Sequence, residues 1–307
     1  MFSVHGRWIA IGCLAGCLTM ATGSPGAPAA SAQPALLSIP TLSTAASAPT
    51  QPLAYERFTH GRAQYHSVIA DLKSGRVVAE TVASPNLVSV WDLVGRSRAT
   101  AAITGTFFDH SSQQPVADVL VDGKLVARGN RGSGVAVCWY GDVEIFDAKF
   151  REPFDWGNYQ FGLRGAVRVV GNGRVNPNPA SQAFRDSRIW GRAARTAVGV
   201  TRHGKFVMIA TSTPVTLTEL GSAMVSRGVV SGVSLDGGGS TCLYYQGSLV
   251  LPPKRKLNNM VILRVLPEGQ SRFAESRPSP THPSGTRESP ARRVAAIRPS
   301  PGSTVVP

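Results

Sequence analysis

The sequence predicts an α+β domain, in which a mixed, mostly antiparallel β-sheet is combined with a few helices and many β-hairpins. Three observations lead to this prediction. Short apolar runs occur in pairs around turn dipeptides through the middle of the 307-residue chain. Helical signals are few, and the clearest of them is followed at once by another apolar run. Local hairpins that outnumber helices are typical of sheets whose neighbouring strands run antiparallel.

The hairpins are predicted from residues that accept the positive φ angles of tight turns. Glycine and Asx residues tolerate these angles, and every predicted turn contains a glycine. In chain order the turns are Asp122-Gly123, Gly141-Asp142, Gly171-Asn172-Gly173, His203-Gly204 and Gln246-Gly247. The apolar runs on either side of each turn are therefore expected to pair as antiparallel strands.

Two segments carry helical signals. Residues 87–99 could hold the first helix. In the second, Thr216 is the expected N-cap and Glu219 completes a capping box, with apolar residues following on one face. Gly228 is expected to end this helix. The run VVSGVSL comes next and predicts a strand that leads directly to Asp236.

The start of the chain predicts export. Residues 1–32 contain Arg7, a short apolar run and an ASA sequence ending at Ala32, which together are typical of a signal peptide. The sequence LAGC at 14–17 resembles a bacterial lipobox, so Cys17 could instead be acylated and anchor the protein to a membrane. Both alternatives place the protein outside the cytoplasm, either in the periplasm or secreted.

Composition divides the rest of the chain into a domain and two flanking segments. Residues 33–52 are predicted to be a disordered linker and residues 267–307 a disordered tail rich in Pro, Ser and Arg. Such segments bury too little apolar surface to offset their chain entropy. Residues 53–266 are expected to form one domain.

The net charge of +14 and the pI of about 10.4 favour anionic partners such as phosphorylated glycans, envelope polymers or membrane surfaces. No nucleic-acid-binding motif is present, so a nucleic-acid partner is not expected. Histidines and cysteines lack the spacing of a metal site, and no metal or cofactor is predicted. Cys138 and Cys242 are either a disulfide or two separate thiols, and we favour the second interpretation.

The stretch VSLDGGGSTC at 233–242 predicts an anion-binding loop. Asp236 ends a strand, where functional carboxylates often lie. Gly237, Gly238 and Gly239 leave the backbone open to an oxyanion, and Ser240 and Thr241 add hydroxyl donors. The competing interpretation is a tight, crowded turn with no ligand.

Other segments make the functional interpretation more specific. They are TGTFF with Thr104, RGAVRVVGNGRV with Arg164, and RTAVGV with Arg195, followed by the helix and LDGGGST. Over residues 101–265, this order and spacing resemble the phosphodiester glycosidase family. Two departures are visible: Thr104 stands where the family usually has Asn, and Arg164-Gly165-Ala166 stands where it often has Gly-Gly-Pro.

The resemblance implies a hydrolase that cleaves the C1–O bond of a sugar-1-phosphodiester in envelope or extracellular glycans. The leaving phosphate monoester is a weak base, so one carboxylate and cations on the phosphate could suffice, where other glycosidases use two carboxylates. The alternative is a non-catalytic module on the same fold that binds phosphorylated glycan or peptidoglycan.

The resemblance also suggests roles for the site residues. Asp236 is the candidate nucleophile, base or oxocarbenium stabiliser. Asp109 could bind sugar hydroxyls or act as an acid, or it could simply cap a turn. Arg195 and Arg164 are candidates for a phosphate clamp. Thr104, Gly237, Gly238, Gly239, Ser240 and Thr241 are the other expected substrate contacts.

Overall fold

A computed structural model describes residues 51–129, 131–148 and 151–273. The predicted signal peptide, the lipobox with Cys17, most of the linker, and the tail from residue 274 lie outside the described residues. Nothing in the fold therefore bears on the two export alternatives.

The described chain contains sixteen strands, three α-helices and two short 3-10 helices, Leu72–Ser74 and Gly238–Ser240. The strands are β1 (Leu53–His60), β2 (Ala63–Ala70), β3 (Val77–Val88), β4 (Ala101–Thr104), β5 (Val119–Val121), β6 (Lys124–Ala127), β7 (Ser133–Cys138), β8 (Val143–Phe146), β9 (Tyr159–Gly171), β10 (Arg174–Val175), β11 (Ala193–Thr201), β12 (Phe206–Val215), β13 (Val229–Ser234), β14 (Leu243–Tyr245), β15 (Ser248–Leu251) and β16 (Leu257–Val265). The helices are α1 (Val90–Ser97), α2 (Ser187–Trp190) and α3 (Leu217–Ser226).

The strands form two sheets. The larger sheet has eleven strands in the order β1-β2-β12-β11-β13-β9-β5-β6, with β10 paired to β9 and β7 paired to both β8 and β9. The smaller sheet has five strands in the order β15-β14-β4-β16-β3. Every pairing between described strands is antiparallel. The predicted α+β class with a mostly antiparallel sheet is therefore confirmed.

All the predicted hairpins are present, as β5/β6, β7/β8, β9/β10, β11/β12 and β14/β15. At the β9/β10 turn, Asn172 has φ 51° and Gly173 has φ 71°, the left-handed angles on which the prediction rested. One further hairpin, β1/β2, was not predicted. Its two strands pair along their whole length, from Leu53↔Ala70 to His60↔Ala63. Its turn is centred on Gly61, which has φ 59°.

Both predicted helices are confirmed by their caps. In α3, Thr216 and Glu219 form the reciprocal capping box, and Gly228 follows the helix at φ 77°. Helix α1 lies inside the predicted segment and has its own capping box between Ser89 and Asp92. Helix α2 was not predicted because it has a single turn, which the Asp186 side chain caps at the Arg188 N–H.

The two sheets pack face to face, and alternate residues of a strand point to opposite sides. Val198 of the larger sheet and Ile103 of the smaller sheet lie in the core between them. Ala197, one residue before Val198, instead faces the core beneath α3. Ala102, one residue before Ile103, faces the core beneath α1. Each sheet thus has one helix on its outer face.

Three further observations concern the rest of the described chain. Cys138 and Cys242 are separate free thiols, and burial raises the pKa of Cys242 to about 12.

The described chain includes no helix of the length and hydrophobicity that crossing a bilayer requires. The segment 267–273, predicted as part of the tail, contacts the domain, because the Arg272 N–H donates to the Gly75 carbonyl at 3.0 Å.

Candidate active site

The segment from Leu235 to Cys242 crosses from β13 of the larger sheet to β14 of the smaller sheet. Asp236 is bonded to both sheets at this crossing. Its N–H donates to the Gly105 carbonyl just after β4, at 3.1 Å. Its carbonyl accepts from the Thr196 hydroxyl of β11, at 2.6 Å. The backbone of the candidate catalytic residue is therefore fixed from both sides.

The Asp236 side chain is almost fully buried, and its residue is 5% exposed. Oδ1 accepts from the Gly237 N–H at 2.9 Å, and Oδ2 lies 3.5 Å from the Arg255 guanidinium. Desolvation by burial raises the pKa of Asp236, although Ser240, Arg255, the Gly237 N–H and His110 all act to lower it. A carboxyl group with a raised pKa inside a cavity is a candidate for a catalytic group.

The three glycines are needed to different degrees. A Cβ on Gly237 would lie 2.6 Å from the Ala194 carbonyl oxygen, so a side chain does not fit there. Gly238 has φ 57°, a left-handed angle that favours glycine, and space around it is open. A Cβ on Gly239 would meet only the Arg255 side chain, at the ordinary contact distance of 3.7 Å. Close packing and chain reversal thus account for the first two glycines, and all three line the cavity.

Thr104 holds the glycine loop from behind. Its hydroxyl donates to the Ser240 carbonyl at 2.6 Å and accepts from the Cys242 N–H at 3.0 Å. The residue is 2% exposed and is not part of the cavity lining. The structure therefore places Thr104, predicted as a substrate contact, in a position where it supports the loop. Thr241 is also buried, and its hydroxyl has no hydrogen-bond partner among the described residues.

Arg255, at the start of the segment leading to β16, is a site residue that the sequence analysis did not single out. Its Nε donates to the Ser240 hydroxyl at 2.6 Å, and its Nη2 faces Asp236. Its Nη1 lies 2.9 Å from His110 Nε2. A guanidinium only donates, so His110 Nε2 is the acceptor in this contact. The sequence signal was the basic run KRK at 254–256.

These residues surround a cavity of about 320 Å³. One part of the lining is apolar and comprises Phe107, Phe108, Val116, Phe184 and Ile189. The remainder comprises the three glycines, Asp236, Asp186, His110, Ala193 and a set of arginines. A cavity lined by apolar side chains together with a few polar groups is typical of a small-molecule site.

Arg195 lines this cavity together with Asp236. Its Nε donates to the Val215 carbonyl at 3.3 Å, and its Nη2 donates to the carbonyls of Ile189, at 3.0 Å, and Gly191. Within the described ranges no carboxylate pairs with it, and burial lowers its pKa. A buried cation without a carboxylate makes the cavity attractive to an anion.

Arg164 and Asp109 lie outside the cavity lining, as do Thr104, Ser240 and Thr241. Arg164 is fully buried within β9, where it donates to the carbonyls of Gly132 and Glu152 at 3.1 and 2.5 Å. Asp109 is exposed and caps the following turn by accepting from the N–H groups of Ser111 and Ser112, at 3.1 and 2.8 Å. Hydrogen bonds from Ser112 lower the pKa of Asp109. The structure therefore places Arg164 within the sheet and Asp109 in the turn-capping arrangement.

A larger cleft of about 990 Å³ lies elsewhere, beside β3 and the segment 266–272, and contains none of these site residues. No group of three or more His, Cys, Asp or Glu residues that could hold a metal ion occurs in the described part of the chain.

A sequence model of the phosphodiester glycosidase family matches residues 97–264. The catalytic domain of zebrafish N-acetylglucosamine-1-phosphodiester α-N-acetylglucosaminidase, auto-inhibited by its pro-peptide, has a TM-score of 0.57 and 18% identity, covering 68% of this chain and 81% of that one. A hypothetical protein from Synechocystis has a TM-score of 0.55 and 13% identity, covering 71% of this chain and 63% of that one. A comparison with curated proteins gives no match.

The structural likenesses show a shared fold, and the family match extends over more than half of the chain. That match includes Thr104, Arg195 and the whole glycine loop. The chain belongs to the phosphodiester glycosidase family.

Proposed function

We propose that the protein is an exported hydrolase that cleaves the C1–O bond of a sugar-1-phosphodiester in envelope or extracellular glycans. Membership of the phosphodiester glycosidase family supports a hydrolase of this kind. The observation that carries the proposal is the shared cavity of Asp236, Arg195 and Arg255, in which Arg255 lies 3.5 Å from the buried carboxylate and Arg195 lines the same cavity. This is the arrangement that the reaction requires.

The cations suit the leaving group. A phosphodiester carries one negative charge, and its phosphate gains a second as the C1–O bond breaks. Arg195 supplies a positive charge that no carboxylate among the described residues neutralises, and the Arg255 guanidinium, oriented by its contacts with Ser240, His110 and Asp236, adds positive charge at the edge of the glycine loop. Both interactions strengthen as charge develops, so they favour the transition state over the substrate.

Asp236 suits the sugar side of the reaction. As the C1–O electron pair leaves with the phosphate, positive charge develops on C1 and the ring oxygen, and the carboxylate stabilises it or attacks C1. Water then supplies the hydroxyl group on C1 and loses one proton, so the products are the free sugar and a phosphate monoester. The raised pKa makes the ionised carboxylate more basic and more nucleophilic than an ordinary Asp.

The test is release of a phosphate monoester from UDP-N-acetylglucosamine and a panel of sugar-1-phosphodiesters by the full chain. Asp236→Asn is expected to abolish turnover while remaining folded. Asp109→Asn is the matched control, because Asp109 only caps an exposed turn, and it should retain most activity. Loss in both variants would contradict the separate roles of Asp236 and Asp109. Ligand binding by the wild type without any turnover would support the non-catalytic module instead.

Export rests on the sequence of residues 1–32. Expression of the full chain in a bacterium, followed by mass spectrometry of the mature N-terminus, tests it. Cleavage after Ala32 is the result expected for soluble export, and a lipid-modified Cys17 is expected for the anchored form. A cytoplasmic protein that retains Met1 would contradict the proposal.

A further inference from the structure

The cavity beside Asp236 contains more positive charge than its own carboxylates balance. The carboxylates of the lining are Asp186 and Asp236. The cations of the lining are Arg131, Arg185, Arg188, Arg195 and Arg255. A concave site with an excess of one sign of charge raises the local concentration of oppositely charged ligands.

Two of these cations already face carboxylates. Arg188 binds Asp186 in a fork, with Nε 3.0 Å from each carboxylate oxygen. Arg255 faces Asp236 at 3.5 Å. These two pairs use both carboxylates of the lining. Arg195, buried in the wall of the same cavity, then matches the single charge of the phosphodiester that is cleaved.

Arg185 is a further cation that the cleaved phosphate does not require. It is exposed where it lines the cavity, and among the described residues nothing engages its guanidinium in a hydrogen bond or ion pair. Its backbone is nevertheless fixed on both sides. Phe184 before it is buried against Phe107, with ring centroids 5.6 Å apart, and Asp186 after it caps α2.

A second exposed cation, Lys254, lies beside the glycine loop, just outside the cavity lining. The Lys254 N–H donates to the Gly239 carbonyl at 2.8 Å, which fixes Lys254 beside the loop, and its side chain is exposed. Positive charge therefore flanks the cavity near both Arg185 and the glycine loop. A substrate whose anionic groups extend beyond the cleaved phosphate would meet these cations.

We propose that Arg185 is a specificity-determining residue that binds a second phosphate on the aglycone of the substrate. This inference rests on the proposed function and names its substrate class: sugar-1-phosphodiesters whose leaving group carries another phosphate. The second phosphate is either adjacent, as in a sugar diphosphate, or one sugar further along a phosphodiester-linked glycan.

The kinetic test compares three derivatives of N-acetylglucosamine 1-phosphate as substrates. They are its phenyl phosphodiester, UDP-N-acetylglucosamine and a phosphodiester-linked glycan dimer that carries a terminal phosphate. Arg185→Gln is expected to lower kcat/KM about ten-fold, the effect of one charge-assisted contact, for at least one substrate with two phosphates. The phenyl phosphodiester should be unaffected. The two-phosphate substrate that responds identifies the position of the second phosphate. An equal effect on all three substrates, or no effect on any, would overturn the proposal.

The matched control is Arg202→Gln. Arg202 is exposed in the β11/β12 turn, at the far end of β11 from Arg195, roughly 20 Å away at about 3.3 Å per residue. Its substitution makes the same change in net charge. A similar kinetic loss in both variants would show that general attraction, and not a contact of Arg185, is responsible.

A binding measurement separates this inference from the proposed function. Calorimetry with inorganic phosphate and inorganic pyrophosphate needs no turnover. The wild type is expected to bind pyrophosphate more tightly than phosphate, and Arg185→Gln should remove that difference. If the preference is found in a protein without hydrolase activity, the proposed function fails and the second anion site stands. Equal affinity of the wild type for the two anions would refute a second phosphate adjacent to the cleaved one, and an unchanged kcat/KM of Arg185→Gln on the glycan dimer would then refute the remaining position.

Discussion

Thr196→Val tests whether the bond from β11 to Asp236 holds the catalytic loop in place. Thr196 is fully buried, and its hydroxyl donates to the Asp236 carbonyl at 2.6 Å. Valine has nearly the same shape, and the Thr196 carbonyl still accepts from the Leu235 N–H and the Ser234 hydroxyl. The substitution therefore removes one donor and leaves a buried carbonyl oxygen without it, which costs about 1–3 kcal/mol of unfolding free energy.

The assay is urea unfolding of the wild type and the variant, with the midpoint compared at constant slope. Thr81→Val is the matched control. Thr81 is also buried in a strand, β3, but its hydroxyl has no hydrogen-bond partner in the described structure. That variant should be unchanged or more stable, by up to about 1 kcal/mol, because an unsatisfied polar group is removed. A neutral Thr196→Val, or equal losses in both variants, would refute the reasoning. Turnover should fall in Thr196→Val only.

Three further predictions concern the loop itself. Burial raises the pKa of Asp236 in the folded protein, so its contribution to stability is fully present below the ordinary pKa of an Asp and is lost as pH rises through the raised pKa. Asp236→Asn should therefore unfold at a higher temperature than the wild type at pH 7. The two proteins should not differ near pH 3. Gly237→Ala should lose turnover because the added Cβ meets a backbone oxygen, whereas Gly239→Ala should fold normally and keep most turnover. Equal turnover in the two variants would contradict the close packing at Gly237. Arg255→Lys should lower kcat/KM about ten-fold or more, since one ammonium group cannot reproduce three directed contacts, and unchanged kinetics would remove Arg255 from the site.

The hairpins and helices were predictable because their signals are local. A turn such as Gly171-Asn172-Gly173 fixes the pairing of the strands beside it through its own backbone angles. The capping box of Thr216 and Glu219 likewise lies within one turn of helix. In contrast, β3 pairs with β16 from Val77↔Val265 to Val88↔Leu257, a contact between distant parts of the chain that no local pattern specifies.

The same distinction explains the site predictions. Asp236 and its glycines are contiguous, so their association was visible in the sequence. Arg255 reaches them because β16 returns beside β4, and its distance along the chain hid this contact. Arg164 looked like a phosphate ligand because only its place in a motif was known. Inside β9 its guanidinium is used by the Gly132 and Glu152 carbonyls.

The position of Asp236 couples its geometry to the docking of the two sheets. Its N–H is held by Gly105 of the smaller-sheet side, and its carbonyl is held by Thr196 of the larger sheet. Gly105 is in turn fixed by Asn259, because the Asn259 carbonyl accepts its N–H at 3.2 Å and the Asn259 amide occupies the space that a Cβ would need. Neither sheet alone supplies both bonds. A change that shifts one sheet against the other must therefore move the carboxylate relative to Arg195, even when each sheet keeps its own pairing.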